Sequence, residues 1–262
     1  MEDCLKQLLQ AYKFAALAIG LHCVKEDIRI VLGKRSLKKC STICSQAGNL
    51  PDTFSQSFCR FKHSIITIDY SDGGAHYDMA VASLLHAVQL YRVQNKRPVE
   101  KVQEFVQWMY DYLLVSEYML TYIIMLFTGQ ENIKAPKHAK SEDIRKIIHG
   151  CKNQAWDISY LTKWSTLYAD AEKYRMEFLF ATNDILLKRI FINCNTEYGV
   201  NGLLYNVFPQ KEYNQLIDYI ESRTRNRVKP DFGDDPRAYF LELIEKEKRE
   251  LQILLESENI CQ

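Results

Sequence analysis

Asn153-Gln-Ala-Trp-Asp-Ile-Ser-Tyr-Leu161, followed downstream by Phe178-Leu-Phe-Ala-Thr-Asn-Asp184, is the stretch on which the reading of the fold turns. The first part spells a helix with an acid, Asp157, in its opening turn, where a carboxylate favours the positive end of the helix dipole. The second part spells a short apolar strand that stops at Thr182-Asn183-Asp184. Carboxylates carried at the ends of separate elements can converge on one point. Converging carboxylates with several retained waters are how proteins hold Mg²⁺ or Mn²⁺.

Working outward, Ser64-Ile-Ile-Thr-Ile-Asp69 is the clearest strand of the first half, β-branched and closing on a carboxylate. Strands alternating with helices predict an α/β fold with a parallel central sheet, whose ligands collect at the strand ends. Asp69, Asp157 and Asp184 would then share one sheet edge. Apolar spacing predicts helices over residues 4–24, from about His76 to Arg92, over Val99–Tyr112, over Tyr118–Phe127, from Ser141, over Ile185–Phe191, over Gln210–Glu221 and over Pro236–Glu256. In the last of these, Leu241, Ile244, Leu251 and Leu254 form the expected apolar stripe. Leu113-Leu-Val-Ser116 reads as a brief strand, Gly199 and Gly202 as a turn, and Gln130 to Ser141 as an exposed loop free to move. Three regions result: an N-terminal helical and basic extension (1–63), a core (64–200) and a C-terminal helical extension (201–262).

Composition narrows the class. Of 262 residues, 47% are apolar and 26% charged, as in a globular protein, and the net charge of +1 provides no general attraction to nucleic acid or membrane. The acidic start Met1-Glu-Asp-Cys is unlike a secretory leader, so the eight cysteines are expected as reduced thiols in a cytoplasm. No apolar run reaches the roughly 20 residues that span a bilayer, so no membrane partner is expected. Cys40, Cys44, Cys59 and His63 have a spacing like that of a structural zinc site, although unligated buried thiols explain them as well. Phosphate-binding glycine loops and the Gly-x-Ser-x-Gly elbow are absent from the sequence, which removes those nucleotide and serine-hydrolase readings.

The segments Ile66-Thr-Ile-Asp69, Ala155-Trp-Asp157 with Tyr160-Leu161, and Ala181-Thr-Asn-Asp184 together resemble the PIN-domain nucleases, over roughly residues 64–195. The resemblance implies a parallel sheet of PIN-like type with added helices, and a metal-dependent endoribonuclease site. Catalytic Asp69, Asp157 and Asp184 would hold Mg²⁺ or Mn²⁺, with Glu117 standing in for the family's mid-helix acid about one turn early. Asn153, Thr182 and Asn183 would orient ligands or metal-bound water. The metal would activate water for in-line attack on an RNA phosphodiester. The resemblance also implies a toxin or defence effector held by an inhibitory protein partner, with homo-oligomers open. The displaced acid equally implies a catalytically degenerate protein- or RNA-binding module.

Each residue also has an ordinary reading. Asp157 fits a first helical turn, Asp184 an N-cap, Asp69 a turn, and Glu117 a solvated helix face. His22, His76 and His86 sit among apolar neighbours as core or surface imidazoles, and Trp108, Trp156 and Trp164 serve as core anchors. Two basic tracts, carrying Lys34, Arg35, Lys38 and Lys39, and Arg223, Arg225, Arg227 and Lys229, are weak candidates for RNA contact, since basic runs are usually solvated. A third reading makes the chain a mostly helical interaction protein whose likeness to the nucleases is accidental.

Overall fold

The computed structural model describes residues 73–169, 182 and 184–260. The chain divides into two compact units, Met1–Asp72 with Glu177–Ala181, and Gly73–Met176 with Thr182–Gln262. The elements below belong to the second unit. They are eight helices: α1 (Gly74–Arg92), α2 (Pro98–Tyr112), α3 (Glu117–Phe127), α4 (Ile144–Ala169), α5 (Ile185–Cys194), α6 (Gly199–Val207), α7 (Gln210–Arg225) and α8 (Pro236–Ile260).

The α/β fold with a parallel central sheet is thereby corrected. The described residues hold helices and no strand, so a sheet of PIN-like type is not the architecture. Leu113–Ser116, read as a strand, is a short extended connector between α2 and α3. The remaining two expected strands, 64–69 and 178–181, lie outside the described residues, as do the first predicted helix, the tract Lys34–Lys39 and the Cys40, Cys44, Cys59, His63 set.

α1 is the hub because its sequence is apolar around nearly its whole circumference. Met79 through Leu85, then Ala87, Val88 and Leu90, are buried without the gap that an amphipathic helix would leave. Its alanines at 80, 82 and 87 let neighbours approach closely. α4 and α8 both pack along α1. Arg92 at the end of α1 donates to the carbonyls of Ala139 and Ser141, just ahead of α4, while Tyr77 near its start meets Trp156 in mid-α4. These two helices therefore run antiparallel. Asp78 with Arg237, His86 with Glu247 and Arg92 with Glu258 ascend together, so α1 and α8 run parallel. α2 and α7 are likewise parallel, tied by Arg97 to Glu212 and by Asp111 to Arg223.

The connector 130–141, read as mobile, is strapped down. Tyr122 donates its hydroxyl to the Lys134 carbonyl at 3.0 Å, Arg189 reaches the Glu131 carbonyl, and Pro136 and Ala139 are buried. Gly150 of α4 lies so close beneath it that a methyl group at this position would stand 1.8 Å from the Lys137 carbonyl oxygen.

Candidate functional site

α4 sets where the sequence-derived acids stand. The expected helix from Ser141 and the expected helix containing Asp157 are one helix of 26 residues. Its core stripe, Ile147, Cys151, Ala155, Ile158 and Leu161, repeats every three or four residues across the supposed break. Asp157 is therefore a mid-helix residue, and the acid that serves the N-terminus is Asp143, which accepts from the Arg145 amide at 3.0 Å.

Asp184 fulfils its ordinary reading as N-cap of α5, accepting from the Leu187 amide at 2.9 Å. Thr182 supports this geometry, its hydroxyl accepting from the Asp184 amide at 3.0 Å. One charge effect and one ring contact, in matched register, align α5 beside α4. Asp157 feels the charge of Asp184, and seven residues further on in each helix Trp164 meets Phe191 edge to face, with centroids 5.0 Å apart. The helices run side by side in one direction, and Asp157 is near enough to the start of α5 for the charge of Asp184 to act on it. Burial, and then the neighbouring charge of Asp184, push the Asp157 carboxyl up to about 6.

Glu117 stands elsewhere. It opens α3, and its charge acts on Tyr118 and on Cys194, the last residue of α5. Asp184 is at the other end of that ten-residue helix, which at 1.5 Å per residue puts roughly 15 Å between the two places. An ion held by Asp157 and Asp184 is beyond Glu117. Asn153 is exposed and uses its amide on His149 Nε2 at 3.2 Å. Asp69 and Asn183 lie outside the described residues. Among the described residues no three His, Cys, Asp or Glu side chains are grouped to hold a metal ion.

The second basic tract is largely engaged within the protein. Arg223 pairs with Asp111 and Arg225 with Glu221. Arg227 donates to the carbonyls of Tyr110 and Leu113 and lies 5.0 Å over the Tyr110 ring. Lys229 is exposed. Two of the four cations, Arg223 and Arg227, thus fasten α7 and its following loop to α2, and a third pairs within α7, so phosphate binding would have to displace those contacts.

A polar cluster in the interior went unread in the sequence. Glu247, 2% exposed, accepts from Trp108 Nε1 at 2.9 Å and Gln89 Nε2 at 2.8 Å, and lies 3.0 Å from His86 Nδ1. The His86 ring stacks on Trp108 at 4.4 Å and 6°. The signal was available: Glu247 falls between Ile244 and Leu251 at core spacing, an acid where the periodicity asks for an apolar side chain.

The Asp157 shift has a signed consequence for stability. A carboxyl whose folded value lies above its unfolded value of about 3.8 penalises folding when ionised. The penalty is absent below pH 4 and complete above pH 6, so stability falls as pH rises through that window. Asp157→Asn is expected to stabilise the protein by about 1–2 kcal/mol at pH 7, a figure reduced for partial solvent access, and by nothing at pH 3.5. Urea melts at both values check this; equal gains at both would show that the charge is not the cause.

No protein-family model, curated protein or solved structure matches this chain.

Proposed function

We propose that the helical body is a protein-binding module whose docking face is built from α5 and α6, taking a partner of neutral, apolar and aromatic surface. The observation that carries this is compositional and structural at once. From Ile190 to Phe208 the only charged residue is Glu197, in a chain that is 26% charged. Ile192, Tyr198 and Tyr205 stand well exposed there, with Ile185 one heptad before Ile192 on the same helix. Four asparagines, 193, 195, 201 and 206, supply adaptable polar groups around them. Loss of charge with gain of tyrosine distinguishes the cores of protein interfaces from ordinary surface. A second copy of this chain is one partner such a face accepts.

Affinity of this kind survives salt, whereas phosphate recognition does not. The full chain, immobilised, is expected to retain the same proteins at about 0.5 M salt as at low salt. Ile192→Asp and Tyr205→Asp should each weaken that retention about tenfold or more at unchanged melting temperature. Sedimentation of the same variants reports whether the partner is a second copy. Retention that is indifferent to both substitutions, or that disappears with salt, sinks the proposal.

A metal-dependent ribonuclease, without the sheet, is the second reading, favoured by the charge of Asp184 acting on the Asp157 carboxyl. It expects RNA cleavage with Mn²⁺ or Mg²⁺ that stops in EDTA and in Asp157→Asn. Cleavage surviving in that folded variant would assign the activity to other residues.

A further inference from the structure

A hollow of about 130 Å³, distinct from the α5–α6 face, opens where the ends of α1 and α3 meet the start of α2. Its walls are Tyr91, Lys96, Pro98, Lys101, Leu126 and Phe127. The neighbouring cations are compensated: Lys96 by Glu104, and Arg97 by Glu100 and Glu212. Lys101 has no such partner among the described residues. Its ammonium lies 5.7 Å over the Phe127 ring, and Lys140 lies 5.8 Å over the ring of Tyr91. Burial, and then the charge of Lys96, hold the Lys101 ammonium below its ordinary value, the mark of a cation short of an anion.

A structural duty for Lys101 at the end of α3 does not account for this. The carbonyls of Ile124, Met125 and Leu126 in the last turn of that helix are already taken, Ile124 by the Thr128 amide and hydroxyl, Leu126 by the Gly129 amide and Met125 by the Gln130 amide. The hollow therefore combines two aromatic rings with Lys101, a half-buried cation that has no ion-pair partner among the described residues. Its volume is close to the roughly 150 Å³ that accepts a single benzene ring in a protein interior.

We propose that this hollow binds a small aromatic carboxylate, its ring against Tyr91 and Phe127 and its carboxylate on Lys101. The anion completes the charge of Lys101 in a partly desolvated place, where such a bond is worth more than at open surface. The ring replaces solvent on the faces of Phe127 and Tyr91.

Benzoate, benzyl alcohol and inorganic phosphate, each titrated into the full chain by calorimetry, separate ring from charge. Benzoate should bind the native protein more tightly than either of the others. Lys101→Met should weaken benzoate about tenfold while leaving benzyl alcohol unchanged, and Lys101→Arg should retain benzoate within about threefold. Melting curves confirm that the variants are folded. Phosphate matching benzoate would mean that only charge is read, and it overturns the proposal, as does benzoate binding that is absent or indifferent to Lys101→Met.

Discussion

Gly150→Ala is expected to destabilise the protein by about 3 kcal/mol or more, although alanine is the better helix former. Two effects oppose each other at this position. Helix propensity favours alanine over glycine by about 1 kcal/mol. Against it stands a methyl group placed 1.8 Å from the Lys137 carbonyl oxygen. That obstacle is backbone, and it belongs to a segment held by Arg92, Tyr122 and Arg189, so it cannot swing aside as a side-chain tip would. Relief demands that the 130–141 strap lift off α4, which unseats buried Pro136 and Ala139. Urea denaturation at constant m decides the matter. A variant as stable as the native protein, or more so, would mean that the strap gives way freely and that its tethers are dispensable.

The second large effect is expected at Glu247. Glu247→Leu leaves the Trp108 indole N–H and the Gln89 amide without their acceptor and the His86 ring without its partner, in the space between α1, α2 and α8. Unmet polar groups of this kind cost about 1–3 kcal/mol each, and breaking a buried charged network by removing one member about 3–5 kcal/mol in all. Leucine returns some of this by burying apolar area, so a net loss of about 3 kcal/mol is the expectation. The companion measurement is a double-mutant cycle. His86→Leu combined with Glu247→Leu should be less damaging than the sum of the two by about 1 kcal/mol or more, because the second substitution removes a group the first has already orphaned. Additive losses would show that the two side chains do not act on each other.

Helix existence was legible in the sequence, and its reason is visible in α2. Val102, Phe105, Val106 and Met109 were expected on one face, and all four are buried. Register was harder. In α8 the expected stripe of Leu241, Ile244, Leu251 and Leu254 gives way to Phe240, Leu243, Ile244, Leu251 and Leu255, with Leu241 46% exposed. Glu247 belongs to the true stripe, between Ile244 and Leu251, which the expected and observed stripes share. The strand at Leu113–Ser116 was misread for a different cause. Leu113-Leu-Val is apolar and β-branched enough to suggest a strand, yet only Leu113 is buried and the segment merely carries the chain from α2 to α3. Gly199 and Gly202, taken as turn markers, start α6 and lie within it.

Of the acids read from the sequence, Asp157 and Asp184 were placed at or near helical segments, and both stand there. Their setting was not legible. A core stripe that continues unbroken from Ile147 to Leu161 overrides the apparent helix start at Asn153. The loss of Glu117 from the group follows from α5 standing lengthwise between the two places, which no local pattern reveals. Partners such as Arg227 and Tyr110, more than a hundred residues apart, are equally invisible to spacing rules.

The parallel pairing of α1 with α8 bears on how the protein is made. A ribosome releases α1 early and α8 only after some 150 further residues. Until then the side of α1 that α8 will cover, with His86, Gln89 and Arg92 along it, lies open to the factors that shield nascent chains. Completion of the hub thus waits until α8 has been made, and a message truncated anywhere before residue 236 yields a product fit for proteolysis rather than a smaller working body.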